Sequence, residues 1–171
     1  MKLSDVLKDS EQSKRLRGIL IQWHGELQEN RAERAGLRRE KNPLDVYVSN
    51  DFRRGIVSRL EQGGFDFDES DLERLAVPLG LISHIRNLEN NNHFAELFAK
   101  SEKGSADMKD VRFRKLLSIA DEEQDSLYIM LLRMIRLMGG KAGLIGLIEG
   151  GCYWNDYSRR RWAEAYYAVK R

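Results

Sequence analysis

The chain is poor in the residues from which disulfides, metal centres and membrane spans are built. Cys152 is its single cysteine, so neither an intramolecular disulfide nor a thiolate metal cluster is available to it. The three histidines, His24, His84 and His93, are never spaced as a metal-binding pair. No apolar run reaches the roughly 20 residues that a membrane-spanning helix requires. We therefore predict no metal site and no membrane span.

Signatures of cofactor binding and catalysis are also missing. The sequence has no P-loop and no G-x-G-x-x-G fingerprint, and its glycine-rich stretch GLIGLIEGG predicts loose packing rather than a phosphate cradle. Carboxylates fall in polar segments rather than among apolar residues, and no nucleophile has an obvious base beside it. We therefore predict that the chain is not an enzyme and uses no cofactor.

Helix-forming residues dominate what is present. The 171 residues include only two prolines, and 42% of them are hydrophobic and 33% charged. This composition predicts an all-α fold, a helical bundle with a sizeable core. We expect one domain, 1–171, in which a turn at Asn90–Asn92 separates possible sub-bundles 1–90 and 91–171.

The N-terminal stretch MKLSDVLKDSEQSKRLR is too charged for the apolar core of a secretory signal. A lone cysteine gives no sign of an oxidising compartment. We therefore expect the protein in the cytoplasm of a prokaryote, or in an equivalent reducing space.

Capping residues and apolar periodicity place the individual helices. Asn30 and Pro43 suit the starts of two helices, and Asn155 or Asp156 suits the start of the last one. Ser70, with the glutamate three residues later, resembles a capping box. The predicted helices cover residues 5–29, 31–41, 51–62, 70–88, 93–100, two segments within 107–138, a short segment within 142–151, and 156–171.

The two helices predicted within 107–138 carry basic residues that have no acidic neighbour. On the second helix, only Arg133 and Arg136 interrupt a nearly continuous apolar surface. On the first, Lys109, Arg112 and Lys115 form a similar row. An acid three or four residues away would offset a base by a few tenths of a kcal/mol, but neither row has one. Something other than the local helix must therefore balance these charges.

The helix predicted over 31–41 presents a third basic row. Arg31, Arg34, Arg38 and Lys41 fall within a stripe about 80° wide, and the two glutamates of this helix lie on the opposite side. We expect an exposed helix that presents bases to a partner or to solvent. The residues that remain for its buried face are Ala32, Ala35 and Leu37.

The sequence leaves three interpretations of these rows open. They form a solvated basic surface, they pair with acids that the fold brings in, or they bind an external anion such as a phosphate chain. Arg53 also lacks an acid at these offsets, so the spacing test alone does not identify a binding site. Residues 61–73 hold six acids and no base. We expect this acidic stretch to be a solvated helix cap, with an interaction site as the alternative.

Five stretches between residues 31 and 167 carry a family resemblance through their order. In this order they resemble the CasB family, the small subunit of the type I-E CRISPR surveillance complex called Cascade. The stretches are RAERAGLRREKNPLDVYVSNDFRRGI, HFAELFAKS, RFRKLLSIAD, LYIMLLRMIRL and RRRWAEAYY.

The resemblance implies a non-catalytic protein of two packed helical bundles. It implies a place in Cascade beside the backbone subunits on the guide RNA and beside the large subunit, together with a second copy of the chain. There, basic residues help to hold the target DNA strand and the displaced strand of the R-loop. The positions that match the family motifs are Arg38, Arg39, Arg112, Arg114 and Arg133. The charge rows add Arg31, Arg34, Lys115 and Arg136 as nucleic-acid-binding candidates.

Basic rows without a base-reading motif suit phosphate contacts, which position a strand but do not read its sequence. Two alternatives stay open. The first is a helical protein-protein adaptor with no nucleic-acid role, whose basic rows face an acidic partner. The second is a stand-alone DNA-binding regulator, although the sequence lacks a helix-turn-helix pattern with a recognition helix.

Overall fold

The computed structural model describes residues 1–169 of the chain. These residues are mainly helical, which confirms the predicted all-α class, and they contain one small sheet of two strands. The chain divides into two compact units, Met1–Ser83 (unit 1) and His84–Arg171 (unit 2). The assignment of 1–171 to one domain with sub-bundles 1–90 and 91–171 stays a prediction. Residues 170 and 171, the end of the last predicted helix, lie outside the described residues.

Unit 1 is built from helices, and its first predicted helix is divided in two. Asp9 has extended backbone and accepts a hydrogen bond from the backbone N–H of Gln12 at 2.9 Å, so it ends one helix and caps the next. The elements of unit 1 are α1 (Leu3–Lys8), α2 (Ser10–Glu29), α3 (Arg31–Arg39), α4 (Pro43–Val48), a π-helical segment (Phe52–Val57), α5 (Ser58–Gln62) and α6 (Glu69–Ile82).

The acidic stretch 61–73 caps α6 and fastens α1. Asp68, rather than Ser70, is the N-cap of α6, because its carboxylate accepts a hydrogen bond from the backbone N–H of Asp71 at 2.8 Å. Asp71 in turn accepts one from the backbone N–H of Leu3 at 2.9 Å. The helix ends at Ile82, six residues before its predicted end. The predicted cap is therefore present, but its carboxylates also make tertiary contacts.

Unit 2 contains the sheet, which the sequence did not predict. The predicted turn at Asn90–Asn92 is wrong, because these residues lie in β1, which pairs in parallel with β2. The glycine-rich segment provides β2 as well as the expected short helix. The elements of unit 2 are β1 (Asn87–His93), α7 (Phe94–Lys100), α8 (Ala106–Leu117), α9 (Gln124–Leu137), β2 (Lys141–Ile145), α10 (Leu147–Cys152) and α11 (Asp156–Tyr167).

Gly143 lets β2 lie close to the end of β1. A Cβ at this position would lie 2.6 Å from the carbonyl oxygen of Asn92 and 3.2 Å from the backbone nitrogen of Phe94. Both of these are backbone atoms, which do not move aside as a flexible side chain does. Gly143 disfavours a helix, but the close approach of the two strands requires a glycine at this position.

Aromatic rings fill the core of unit 2 between α7, α10 and α11. Trp162 of α11 lies 5.0 Å from Phe94, 5.1 Å from Trp154 and 5.3 Å from His93, measured between ring centroids. Its indole N–H donates a hydrogen bond to the carbonyl oxygen of Gly146 at 3.1 Å. Trp162 is therefore satisfied both in packing and in hydrogen bonding.

His93 gives unit 2 a predictable response to acid. Its ring Nδ1 accepts a hydrogen bond from the backbone N–H of Ala95 at 3.0 Å, so the neutral ring caps α7. Burial lowers the pKa of His93 to about 4, against a smaller opposing effect of the Glu96 carboxylate. Because the unfolded chain takes up a proton below a pH of about 6.5, this contribution to stability is complete above that pH. We expect it to be lost as the pH falls from about 6.5 towards 4.

The variant His93→Asn tests this expectation, because asparagine is a good capping residue that does not titrate. Urea unfolding at pH 7.5 and pH 5 should show a smaller fall in the free energy of unfolding for the variant than for the native chain. The same fall in both proteins would show that His93 is not the group that responds.

Candidate nucleic-acid interface

Helix α3 carries the first set of predicted binding residues on its outer side. It begins at Arg31 as predicted, because the side chain of Asn30 accepts a hydrogen bond from the backbone N–H of Glu33 at 3.1 Å. Arg31 and Arg39 are exposed, and Arg34 and Arg38 are half-buried. The buried residues of α3 are Glu33, Gly36 and Leu37, so the predicted burial of Ala32 and Ala35 is wrong.

A buried carboxylate fixes the orientation of α3. Glu33 accepts hydrogen bonds from the indole N–H of Trp23 at 3.3 Å and from the side-chain amide of Asn30 at 3.2 Å. The guanidinium of Arg59 lies 3.8 Å away. Gly55 of the π-helical segment leaves room for this carboxylate, because a Cβ there would lie 2.0 Å from Glu33 Oε1. With Glu33 held inward, the arginines on the other side of the helix point outward.

Two arginines of α3 also make contacts within unit 1. Arg34 donates to the side-chain oxygen of Gln28 at 3.2 Å. Arg38 donates through Nε to the carbonyl oxygen of Ser83 at 2.7 Å, which ties α3 to the residue after α6. Arg38 therefore has a structural contact, and its replacement would affect folding as well as any ligand. Arg31 and Arg39 are the cleaner positions on this helix for testing a binding role.

Helix α8 carries the second set. Arg114 and Lys115 are exposed, on the side opposite Phe113 and Leu116. Arg112 is half-buried, and its Nε is enclosed without a hydrogen-bond partner among the described residues. The three bases therefore differ in how far they reach into solvent.

Lys109 does not belong to the predicted row on α8. Its side chain is buried, with 7% of its surface exposed. Its ammonium group donates to the carbonyl oxygens of Ala99 and Ser101, where α7 ends. Lysine side chains favour this position because the last carbonyls of a helix are electron-rich and lack helical partners. This lysine thus joins α8 to α7.

Helix α9 carries the third set. Arg133 and Arg136 are both exposed, as their positions among apolar residues predicted. The opposite side packs into unit 2 through Leu127, Tyr128, Leu131, Met134 and Ile135. The apolar residue Ile129 is 43% exposed on the same side as the arginines, so burial does not extend around the whole helix.

Arg53 shows how this fold pairs a base that lacks an acid nearby in sequence. Its guanidinium lies 2.7 Å from the carboxylate of Glu69 and 4.3 Å from the ring centroid of Tyr47. The hydrogen bond from Arg53 lowers the pKa of the Glu69 carboxyl. The acidic stretch 61–73 therefore supplies the counter-charge that Arg53 lacks locally.

Most of the predicted binding residues receive no such partner. In the part of the chain that the structure describes, no acidic side chain lies within 4.0 Å of eight of them. These eight are Arg31, Arg34, Arg39, Arg112, Arg114, Lys115, Arg133 and Arg136. The bases that the fold does pair include Arg53 with Glu69, Arg59 with Glu26, Lys100 with Glu96, Arg159 with Asp156 and Arg161 with Glu164.

Three further exposed bases, Arg86, Lys103 and Lys141, lie near the end of α9 and were not predicted as candidates. They belong to three separate segments and form no helical row. The pairing of β1 with β2 places Arg86, the residue before β1, beside Gly140, the residue before β2. No local sequence signal could have identified them as a group.

The described residues contain neither a metal-binding cluster nor a membrane-spanning helix. Among residues 1–169, no group of three or more histidine, cysteine or acidic side chains is arranged to hold a metal ion. Over the same residues, no helix has the length and apolar character needed to cross a membrane. His24 is buried, and its Nε2 lies 3.2 Å from the side-chain amide nitrogen of Gln28.

Comparison with known proteins identifies the family to which the chain belongs. No curated protein matches the chain with significance. The crystal structure of CasB from Thermus thermophilus is similar, with a TM-score of 0.67 and 20% sequence identity over 88% of this chain and 96% of that one. At 20% sequence identity, this structural similarity shows the fold alone. The sequence profile of the CRISPR-associated protein Cse2 family matches residues 33–167. The chain therefore belongs to the Cse2 family, whose CasB members its sequence resembles.

Proposed function

We propose that the chain is the non-catalytic small subunit of the type I-E Cascade complex and that it holds DNA through phosphate contacts. The observation that carries this proposal is the set of eight bases without acidic partners in the described residues. They lie on α3 in unit 1 and on α8 and α9 in unit 2. Membership of the Cse2 family implies a component of Cascade, and the bases suggest what this component binds.

Phosphate contacts suit this task because guide pairing already reads the target sequence. Formation of an R-loop exchanges one duplex for another of similar stability, so contacts to the strand backbones can decide the balance. Arginine and lysine side chains supply such contacts without regard to base sequence. The target strand, the displaced strand and the guide RNA all present the same phosphate chemistry.

The proposed partners follow from this role. They are the backbone subunits, the large subunit, the guide RNA, the target DNA and a second copy of the chain, all in the cytoplasm. Neither a cofactor nor a metal takes part in the proposed function, because the bases act only by position and charge.

The extent to which the displaced strand is unpaired tests this function directly. Guide-loaded Cascade should be assembled with and without the chain on matched double-stranded DNA, and thymines of the displaced strand probed with permanganate. We expect the chain to increase their reactivity, because a stabilised R-loop keeps more of these thymines unpaired while contacts to phosphates leave the bases accessible, and to lengthen the lifetime of the open state. Failure of the chain to join the complex, or identical reactivity with and without it, would contradict the proposal.

The alternative function, a protein-protein adaptor without a nucleic-acid role, has one observation in its favour. Leu44 and Val48 lie one turn apart on α4 and are 64% and 63% exposed, respectively. Apolar side chains of this kind suit a protein contact. If Leu44→Ser with Val48→Ser abolished assembly while replacement of the eight bases changed nothing, the adaptor would become the better description.

A further inference from the structure

The turn after α9 is a defined structure rather than a loose end. The backbone N–H of Gly139 donates to the carbonyl oxygen of Arg136 at 3.0 Å, and that of Gly140 donates to Ile135 at 3.0 Å. Gly139 and Gly140 have φ values of +71° and +82°, which glycine adopts without steric cost. This is a Schellman ending, which satisfies the last carbonyls of the helix. The turn therefore has a fixed shape on which side chains can be arranged.

Two bases from distant segments lie against this turn. A Cβ at Gly139 would lie 3.4 Å from the ammonium nitrogen of Lys103, and a Cβ at Gly140 would lie 3.3 Å from Cγ of Arg86. The backbone N–H of Arg86 also donates to the carbonyl oxygen of Gly140 at 2.8 Å. The absence of side chains on both glycines thus lets Lys103 and Arg86 approach the backbone of the turn.

Two more bases flank the same turn along the chain. Arg136 lies in the last turn of α9, and Lys141 follows Gly140 and begins β2. All four bases are exposed. Arg133 lies one helical turn before Arg136 on the same side of α9, so the group continues the proposed α9 binding set. We call Arg86, Lys103, Arg136 and Lys141 the turn cluster.

The charges of the turn cluster exceed what the helix end can balance. The C-terminus of a helix carries the equivalent of about half a negative charge, which favours one nearby base. The cluster brings four positive charges, and none has an acidic partner within the described residues. Glu102 is next to Lys103 in sequence but makes no ion pair with it. The described residues of unit 2 therefore leave these four bases available to an anion from outside it.

We propose that the turn cluster binds a backbone phosphate of a nucleic-acid strand. The site rests on the proposed function and adds three residues, Arg86, Lys103 and Lys141, to its contacts. Arginine supplies paired N–H donors that match two phosphate oxygens, and lysine supplies a mobile point charge. The two glycines carry no side chains, so the turn leaves space for Lys103 and Arg86 beside its backbone.

The test compares charge removal in the turn cluster with charge removal at paired bases. The test variant is Arg86→Gln, Lys103→Gln, Lys141→Gln in the full chain. The control variant is Lys100→Gln with Arg161→Gln, two exposed bases of unit 2 that already pair with Glu96 and Glu164. Each phosphate contact contributes about 0.9 to the slope of log affinity against log salt. Because the proposed site holds one phosphate, we expect the test variant to lower the slope of guide-loaded Cascade on matched DNA by about 1 per copy, and the control to leave it unchanged.

Three results would overturn the site. The first is an unchanged slope in the test variant while Arg133→Gln with Arg136→Gln lowers it, which leaves the proposed function intact. The second is an equal loss in the control variant. The third is a fall in unfolding temperature large enough to account for the lost binding. If Cascade with the native chain has the same slope as Cascade without it, the proposed function itself fails, and the site fails with it.

Discussion

Cascade that carries Arg133→Gln and Arg136→Gln is expected to bind matched double-stranded DNA roughly tenfold more weakly near physiological salt. Both side chains are exposed on α9 and have no acidic partner in the described residues. The loss should be the same for every target sequence, because phosphate contacts carry no sequence information. The slope of log affinity against log salt should fall by about 2 per bound copy of the chain.

The stability of the chain separates this effect from misfolding. Glutamine is a good helix former, and exposed substitutions of this kind change stability by about 0.5 kcal/mol or less. Unfolding of the variant chain should therefore be almost unchanged. Losses confined to certain target sequences, or a large fall in stability, would contradict the interpretation of these arginines as phosphate contacts.

The substitution Trp162→Ala is expected to destabilise the isolated chain by about 3 to 5 kcal/mol. Trp162 is 1% exposed and contacts the rings of Phe94, Trp154 and His93. Its removal leaves a large cavity, and the carbonyl oxygen of Gly146 loses its hydrogen-bond donor, the indole N–H. For a chain of this length the midpoint of thermal unfolding should fall by on the order of 10 °C.

Tyr157→Ala is the matched control for this prediction. Tyr157 lies on the same helix, α11, but is 63% exposed. We expect its replacement to change the free energy of unfolding by about 0.5 kcal/mol or less. Circular dichroism during urea unfolding would compare the three proteins. A loss below about 1 kcal/mol for Trp162→Ala would show that this ring is not central to the core of unit 2.

Helices could be predicted from the sequence wherever their ends follow local rules. Asn30, Asn42 and Asn155 are N-cap residues, and each side-chain oxygen accepts a hydrogen bond from the backbone N–H three residues later. The division at Asp9 was missed, although aspartate is a favoured N-cap residue and the Asp9 side chain caps α2.

The parallel sheet could not be predicted in the same way. Asn87 pairs with Lys141 across more than fifty residues, and parallel strands have no turn between them to mark the pairing. Asn90–Asn92 are strong turn formers locally, yet they lie in β1. Tertiary pairing has overridden the local preference for a turn. Because the pairing was not predicted, the residues of the turn cluster were not predicted to lie near one another.

The candidate site shows a similar division between local and tertiary effects. The outward position of Arg133 follows from helical periodicity alone, and the structure agrees. The inward position of Lys109 does not, because it depends on carbonyl groups at the end of α7. Burial of Glu33 depends on Trp23 and on space above Gly55, which belong to other segments. The acid that pairs with Arg53 likewise comes from α6.

The salt dependence of DNA binding by guide-loaded Cascade, assembled with and without this chain, tests the central claim most directly. The claim predicts that the native chain both tightens binding and steepens the dependence of affinity on salt, because its unpaired bases displace counterions from phosphates. Equal affinity and equal slope in the two assemblies, with the chain demonstrably bound, would contradict it.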